Sequence, residues 1–384
     1  MKINILFFIA ITIFSCAKKQ KDTTNNPILH LKIPINNIQK TYMTDFISEY
    51  IIIPLEFTEK SMIKDISKIE IHDSLIYLLD SFGARNVMVF NMDGKFIRTI
   101  GGFGWGPGQI PYPKDFIYIE EESRIDILGN KRINSFSNDG KLINENRIRF
   151  SSTNFFRQGD IYFFTASFEK NCLLLKTDQN FNKTETILED KPKCLFGNGF
   201  KPFIKTTQSN FLHWTLMNDT IYCVSKNNAY PSRIIDFGSY KFDIMEFETL
   251  SDKEKMLTVS YQNKINQCLI KRYFETENYI QIYYYLSGKF YCFIYNKKLG
   301  TTKHFDADNL IDNIFWFDQT KELPRLVGHD NECFYYMVAP YEYKKPEKLL
   351  KFFGKSNISI NERDAQFLIE ETSNPILVIA KYEF

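Results

Sequence analysis

Ile76–Pro113 reads IYLLDSFGARNVMVFNMDGKFIRTIGGFGWGPGQIPYP, and this stretch decides the fold. Ile76 to Asp80 is a short apolar run closed by a turn signal, Ser81–Arg85. Val87 to Phe90 is a second run, and Asn91-Met92-Asp93-Gly94 separates it from a third, Lys95 to Ile100. Asp-Gly between strand-like runs predicts a tight hairpin, because that turn needs a positive φ that glycine accepts freely. In the third run Phe96, Arg98 and Ile100 share one face, and Lys95, Ile97 and Thr99 share the other. Apolar residues on both faces predict a sheet covered on both sides. Next comes Gly101-Gly102-Phe103-Gly104-Trp105-Gly106-Pro107-Gly108, too rich in glycine for strand or helix. It predicts a sharp exit loop. A phosphate-binding loop would need Gly-Lys-Ser/Thr opening a helix, and Gln109-Ile110-Pro111 opens none.

Weaker copies follow at intervals of about forty to sixty residues, the range of propeller blades. Blade one spans Ile63 to Ile110 and blade two Phe116 to Arg149. Ser135-Phe136-Ser137-Asn138-Asp139-Gly140-Lys141 echoes Val89-Phe90-Asn91-Met92-Asp93-Gly94-Lys95. Blade three is Asn154 to Leu188, with a turn at Thr177–Asn180. Blade four begins near Phe203 and holds Thr220–Val224 and Ser232–Phe237. Blade five is Tyr273 to Phe305, turning at Asn296–Gly300. The C-terminal stretch ends in a strand, Pro375–Tyr382, but supplies too few strands for a full sixth blade. Ile51–Phe57 is therefore expected to join it as the outer strand, and Pro54 suits such an edge. Uniting the two termini in one sheet removes the open seam of the ring. The fold class predicted is all-β: a six-bladed β-propeller with small helical insertions. One insertion follows blade four, where Ser251-Asp252-Lys253-Glu254 has capping-box spacing and Met256, Leu257 and Tyr261 share a face. A second is expected over Pro346–Phe353 and Arg363–Glu371.

Asp80, Arg85, Val87, Phe90, Asp93-Gly94, Phe96 and Gly101–Gly108 resemble the NHL-type repeat. The whole chain looks like a family of bacterial six-bladed β-propeller lipoproteins. Only the first blade carries the motif well. The resemblance implies the fold and a lipid anchor, and it brings no catalytic residue.

The N-terminus reads as an export signal. Lys2 is a charged leader, Ile3–Phe14 is apolar, and Ile13-Phe14-Ser15-Cys16 looks like a lipobox. Phe14 departs from the small or aliphatic residue usual there, and an ordinary signal peptide is the alternative. The expected division is residues 1–15 as lipoprotein signal peptide, 16–45 as tether and N-terminal extension, and 46–384 as propeller. Cys16 would carry the acyl chains. Localisation is then the cell envelope, lipid-anchored at the outer membrane or periplasmic face. The polar run Ala17–Asn26 is expected to be a tether.

Composition agrees with a globular β protein. Of 384 residues, 44% are hydrophobic, and 36 Phe and 22 Tyr favour strands over helices. Lys plus Arg is 48 and Asp plus Glu 46, so no overall field recruits nucleic acid. Cys172, Cys194, Cys223, Cys268, Cys292 and Cys333 lie mostly in apolar runs and are expected to be buried thiols. No Cys-x-x-Cys occurs.

In a four-stranded blade, the loops between second and third strands share one face with the loops between blades. Ser81–Arg85 and Gly101–Pro113 therefore share a face, and Asp93-Gly94 and Asp139-Gly140 share the other. Arg85, Trp105 and Tyr112 are candidate ligand-binding residues on the first face, with packing between blades the alternative role for Trp105. His213-Trp214 and His329-Asp330 lie near turns, where exposure to the pore and a surface or satisfied core role are the two readings, and His213 and Trp214 are added as candidates. The five histidines, His30, His72, His213, His304 and His329, show no metal-binding spacing, and His-Glu-x-x-His is absent. There is no Gly-x-Ser-x-Gly, and Asp318 and Glu322 read as a charged loop. The expected function is a non-catalytic binding or scaffold module with no cofactor. Its partner would be a protein, peptide or glycan. The alternative is a metal-dependent hydrolase or lyase, which needs acidic, Asn or His side chains from several blades meeting in the central channel.

Overall fold

A computed structural model describes residues 27–165, 172–189, 201–206, 210–216, 218–259, 266–311, 325–338 and 374–384. The Asp-Gly turns form as their chemistry demands, with Gly94 at φ +78° and Gly140 at φ +88°. Each apolar run around them becomes a strand.

β1 (Leu29–Lys32) and β2 (Ile47–Pro54) precede the first blade. Blade one is β3 (Lys68–His72), β4 (Leu75–Asp80), β5 (Asn86–Asn91) and β6 (Phe96–Ile100). Blade two is β7 (Asp115–Ile119), β8 (Arg124–Leu128), β9 (Arg132–Ser137) and β10 (Leu142–Arg147). Blade three is β11 (Phe155–Gln158), β12 (Ile161–Thr165), β13 (Leu174–Asp178) and β14 (Thr184–Leu188). Blade four is β15 (Phe203–Lys205), β16 (Phe211–His213), β17 (Thr220–Val224) and β18 (Ala229–Asp236), with β1 added parallel outside β18. Helices α1 (Ile244–Thr249) and α2 (Asp252–Val259) follow. Blade five is β19 (Leu269–Glu275), β20 (Tyr279–Leu286), β21 (Lys289–Asn296) and β22 (Thr302–Asp306). Blade six is β23 (Arg325–His329), β24 (Cys333–Val338) and β25 (Ile376–Tyr382), with β2 as its outer strand. The first strands of the blades line the centre, where β3 meets β7 and β23, and β7 meets β11. This is the six-bladed propeller the repeats predict.

Both faces of each blade are apolar because both are covered. Ile76 and Leu78 pack toward blade six, while Tyr77 and Leu79, one residue on, pack toward blade two. Equivalent clusters fill the spaces between the other neighbouring blades. Five described cysteines are free thiols, four of them buried. Burial pushes the Cys268 and Cys292 thiols up to about 12, so both stay protonated and inert.

Closure occurs where expected, with a shifted boundary. β2 pairs antiparallel with β25, placing Ile52 opposite Val378 and Ile53 opposite Leu377. The strand starts at Ile47 and stops at Pro54, four residues earlier than Ile51–Phe57 at its start and three earlier at its end. One longer contact follows, Leu55 N–H to Pro375 O (3.4 Å), and Pro375 has no N–H to return it, so the ladder ends there. The chain then turns onto blade one: Glu56 N–H donates to Gly94 O (2.8 Å), and the Glu56 carboxylate accepts from Phe96 N–H (2.9 Å).

The segment before β2 is a belt. Leu31 and Ile33 are buried against blade four. Residues 34–46 then cross the outer edge of blade five. Gln39 N–H donates to His304 O (2.8 Å), Ile311 N–H donates to Thr41 O (3.0 Å), and Phe46 stacks on Phe305 at 5.8 Å. His304 fastens the belt: Nδ1 lies 3.1 Å from both Pro34 O and Asn37 O, while Tyr284 Oη donates to Nε2 at 2.7 Å. Of the segment read as tether and extension, Leu29–Asp45 thus lies on the propeller.

The helical insertion after blade four is present, and its capping box is made. Ser251 N–H donates to the Glu254 carboxylate (2.9 Å), and Glu254 N–H donates back to Ser251 Oγ (3.4 Å). Residues 1–26 with Cys16, and Cys194, Tyr261, Asp318, Glu322, Pro346–Phe353 and Arg363–Glu371, lie outside the described residues.

Candidate functional site

Asp80 builds one face of the ring. It ends β4 fully buried, and its carboxylate is shared among backbone donors of two loops. Oδ1 accepts from Phe82 N–H (3.2 Å) and Gly83 N–H (2.6 Å). Oδ2 accepts from Lys64 N–H (2.9 Å) and Asp65 N–H (3.4 Å). A Cβ at Gly83 would come within 2.4 Å of Lys64 Cβ, so only glycine lets the loops close this tightly. The loop delivers Arg85 at φ +55°, an uncommon conformation for a residue with a side chain.

The glycine-rich loop supplies the other half. Gln109 Oε1 accepts from Gly106 N–H (2.9 Å), Ile110 N–H donates to Gly102 O (2.6 Å), and Gly108 N–H donates to the Glu145 carboxylate (2.9 Å). Ile110 is buried between blades one and two and anchors the loop. Its aromatic residues stay outside. Trp105 is 69% exposed, Phe103 55% and Tyr112 52%, and Phe82 of the neighbouring loop is 77% exposed. The Arg85 guanidinium lies 4.5 Å from the Phe103 ring centre and 5.6 Å from that of Tyr112. Trp105 meets Tyr112 edge-on at 6.4 Å. Arg85 has no carboxylate partner among the described residues.

The structure thus brings Arg85, Trp105 and Tyr112 together, and it adds Phe82 and Phe103. His213 and Trp214 are elsewhere. They sit at the end of β16, the second strand of blade four, where alternate side chains enter the spaces on either side of the blade. Trp214 is fully buried against Tyr273, and its Nε1–H donates to Lys201 O (3.0 Å). His213 is fully buried, with Nδ1 3.1 Å from Pro202 O, and burial pulls its imidazole down to about 4. Both are core residues here, in contrast to the pore exposure that made them candidates.

The central channel holds a second polar cluster. Lys68 Nζ lies 2.9 Å from Asp115 Oδ1 and 2.9 Å from Glu70 Oε1, and donates to Phe116 O (2.5 Å). Glu70 Oε2 meets His72 Nε2 at 3.1 Å, and His72 Nδ1 meets Glu120 at 3.2 Å. Burial alone would depress the Lys68 amine, but Asp115 and Glu70 outweigh it and hold it above its ordinary range. Burial would likewise raise Glu70, and Lys68 and His72 outweigh it. Lys201, just before β15, crosses the channel from blade four. Its Nζ donates to Ile69 O of blade one (3.1 Å), and a Cβ on Gly328 of blade six would fall 2.4 Å from it. Among the described residues no three His, Cys, Asp or Glu side chains group as a metal site would require. The channel carboxylates are instead engaged by lysine and imidazole. Nothing in this arrangement favours the hydrolase or lyase alternative.

Lys201 gives a stability prediction. Burial, then the nearby Lys68 charge, brings its amine down to about 7. Between that value and the unfolded lysine pKa, the unfolded chain binds a proton the native chain has shed, so stability rises with pH there. The penalty is fully present below about pH 7. Lys201→Met should therefore stabilise the protein more at pH 6 than at pH 9, by about 1–2 kcal/mol after allowance for partial solvent access. Urea unfolding at both pH values measures it, and equal effects at the two would refute it.

Sequence reasoning reached the platform through Trp105 and Tyr112 but missed Phe82 and Phe103. A signal existed: both are aromatic residues inside turn sequences that cannot enter a core. Lys68 and Lys201 gave none, since their meeting depends on ring curvature.

Residues 27–381 match the model of a family described as a domain of unknown function, DUF4934. No curated protein matches the chain. A crystal structure of a "putative exported protein" from Bacteroides fragilis is similar, with TM-score 0.71 and 18% identity over 93% of this chain and 100% of that one. BamB from Moraxella catarrhalis gives TM-score 0.37 and 10% identity over 67% and 65% of the two chains. The first likeness shows a shared fold along the full length.

Proposed function

The chain belongs to the DUF4934 family, and from that premise we propose that it is a lipid-anchored, non-catalytic binding module of the cell envelope. Residues 1–15 act as signal peptide, Cys16 carries the lipid, and the propeller from residue 46, with its NHL-like first blade, presents the ligand face. The observation that carries the binding role is the exposed aromatic platform around Arg85, which has no carboxylate partner among the described residues. Exposed, clustered aromatic side chains beside arginine are the usual anchors of recognition surfaces. A protein, peptide or glycan fits that chemistry, and a nearly balanced charge offers nothing to nucleic acid. Export is supported by the charged and apolar N-terminus, and the similarly folded B. fragilis chain is itself described as exported.

Detergent phase partition tests the anchor. The full chain, expressed with its own leader in a Gram-negative host, should enter the detergent phase and incorporate labelled palmitate. Cys16→Ala should do neither. Wild-type protein confined to the aqueous phase and unlabelled would refute lipidation.

A further inference from the structure

We propose that the Arg85 platform binds an acidic carbohydrate, one hexuronate unit of a glycan being held by Arg85 and the neighbouring rings; this rests on the binding-module reading above. The guanidinium carbon lies over the rings of Phe103 and Tyr112. A guanidinium placed over aromatic rings keeps its N–H edge available to a further partner. No carboxylate among the described residues takes that edge. A guanidinium edge matches a carboxylate through two parallel N–H···O bonds, so the ligand is an anion with a planar, two-oxygen head. The backbone at Arg85 is held at φ +55°, an uncommon conformation for a non-glycine residue. Arg85 is half-buried at the end of this loop, immediately before β5, so its position is set by the strand that follows.

The rings decide between sugar and polypeptide. Peptide side chains bind most strongly when sunk into enclosed, water-free pockets. Here the aromatic residues stand on a glycine-rich loop over open ground: nothing lies within 4 Å of where a Cβ on Gly102 would be. Trp105 and Tyr112 offer exposed ring faces, not a pocket. The electron-rich face of an aromatic ring attracts the weakly positive C–H edge of a pyranose ring. A uronic acid presents that apolar face and a carboxylate on one rigid ring, and so matches Trp105 and Arg85 together.

Trp105 also reports occupancy: of the three tryptophans, Trp214 is buried in the core and Trp316 lies outside the described residues, and the part of the signal lost in Trp105→Ala belongs to Trp105. The full-length protein in detergent is titrated with tri-galacturonate and with tri-mannuronate, following tryptophan fluorescence and calorimetry. The methyl ester of each and a hexaglutamate peptide serve as comparisons. At least one uronide should bind and quench, its methyl ester at least tenfold more weakly. Arg85→Gln and Trp105→Ala should each weaken it at least tenfold with unchanged unfolding midpoints, and Arg85→Lys less severely than Arg85→Gln. If hexaglutamate binds through Arg85 as tightly as either uronide, the carbohydrate assignment falls while the platform remains a binding site. If no probe changes the fluorescence or heat of the wild type, the assignment falls as well. An Arg85→Gln variant that binds uronide as wild type does overturns it too.

Discussion

A chain beginning at Leu55, lacking the belt and β2, will not fold to a stable monomeric ring. The deletion strips β25 of its outer antiparallel partner and leaves an open apolar edge in blade six. It also removes Phe46, Ile47, Ile52 and Ile53, all buried at the seams on either side of that blade. At roughly 1.5–3 kcal/mol for each buried side chain, the loss is about 6–12 kcal/mol, comparable with the whole stability of an ordinary domain. The truncated chain should elute as aggregate and show no cooperative unfolding. A peptide spanning residues 27–54, added during refolding, should restore a monomeric peak, because the missing strand pairs only along an edge. Gly94→Ala attacks the same seam from blade one. Its Cβ would lie 1.9 Å from Pro54 O, at a backbone φ of +78° that already disfavours alanine. A truncated protein that unfolds cooperatively at the wild-type midpoint would contradict closure by the N-terminal strand.

Asp80→Ala is the second large effect. One buried carboxylate accepts from four backbone N–H groups, of Lys64, Asp65, Phe82 and Gly83. Removing it leaves donors in two loops without their acceptor, and hydrogen bonds to a charged group are worth about 1.5–3 kcal/mol each. Local rearrangement will recover part, so a loss of about 3–5 kcal/mol is expected in urea unfolding. Asp80→Asn keeps one acceptor oxygen and should lose about half as much. Because the same carboxylate folds the loop that carries Arg85, limited proteolysis should show faster cleavage at Ser81–Arg85 in the alanine variant. An unchanged midpoint together with unchanged cleavage would remove Asp80 from this role.

Much of the ring was legible because its rules are local. Asp93-Gly94 and Asp139-Gly140 specify hairpins within a few residues, and strands apolar on both faces, such as Ile76–Leu79, need neighbours on both sides. The closing strand was found because the C-terminal stretch was short of strands. Its end is less legible, because Leu55 is as apolar as Ile53 and its N–H still reaches Pro375 O; the missing N–H that stops the ladder belongs to Pro375, on the partner strand. His213 and Trp214 look like site residues in the sequence because they are polar-capable groups near a turn. Which way a strand residue points depends on its register, and a single step of register exchanges core for surface. The path of the belt was hidden for another reason. Leu31, Ile33 and His304 are far apart in sequence, and nothing local to any of them names its partner.

β1 has a mechanical consequence. It is the first described strand of the chain, and it holds the flank of blade four through a parallel register of four residues, Leu29 opposite Arg233 through Lys32 opposite Asp236. Tension arriving from residues before Leu29 is borne there first, then by the fastening at His304, and only afterwards by β2. The short outer strand is a fuse. It can detach and re-form while the closing sheet carries no load.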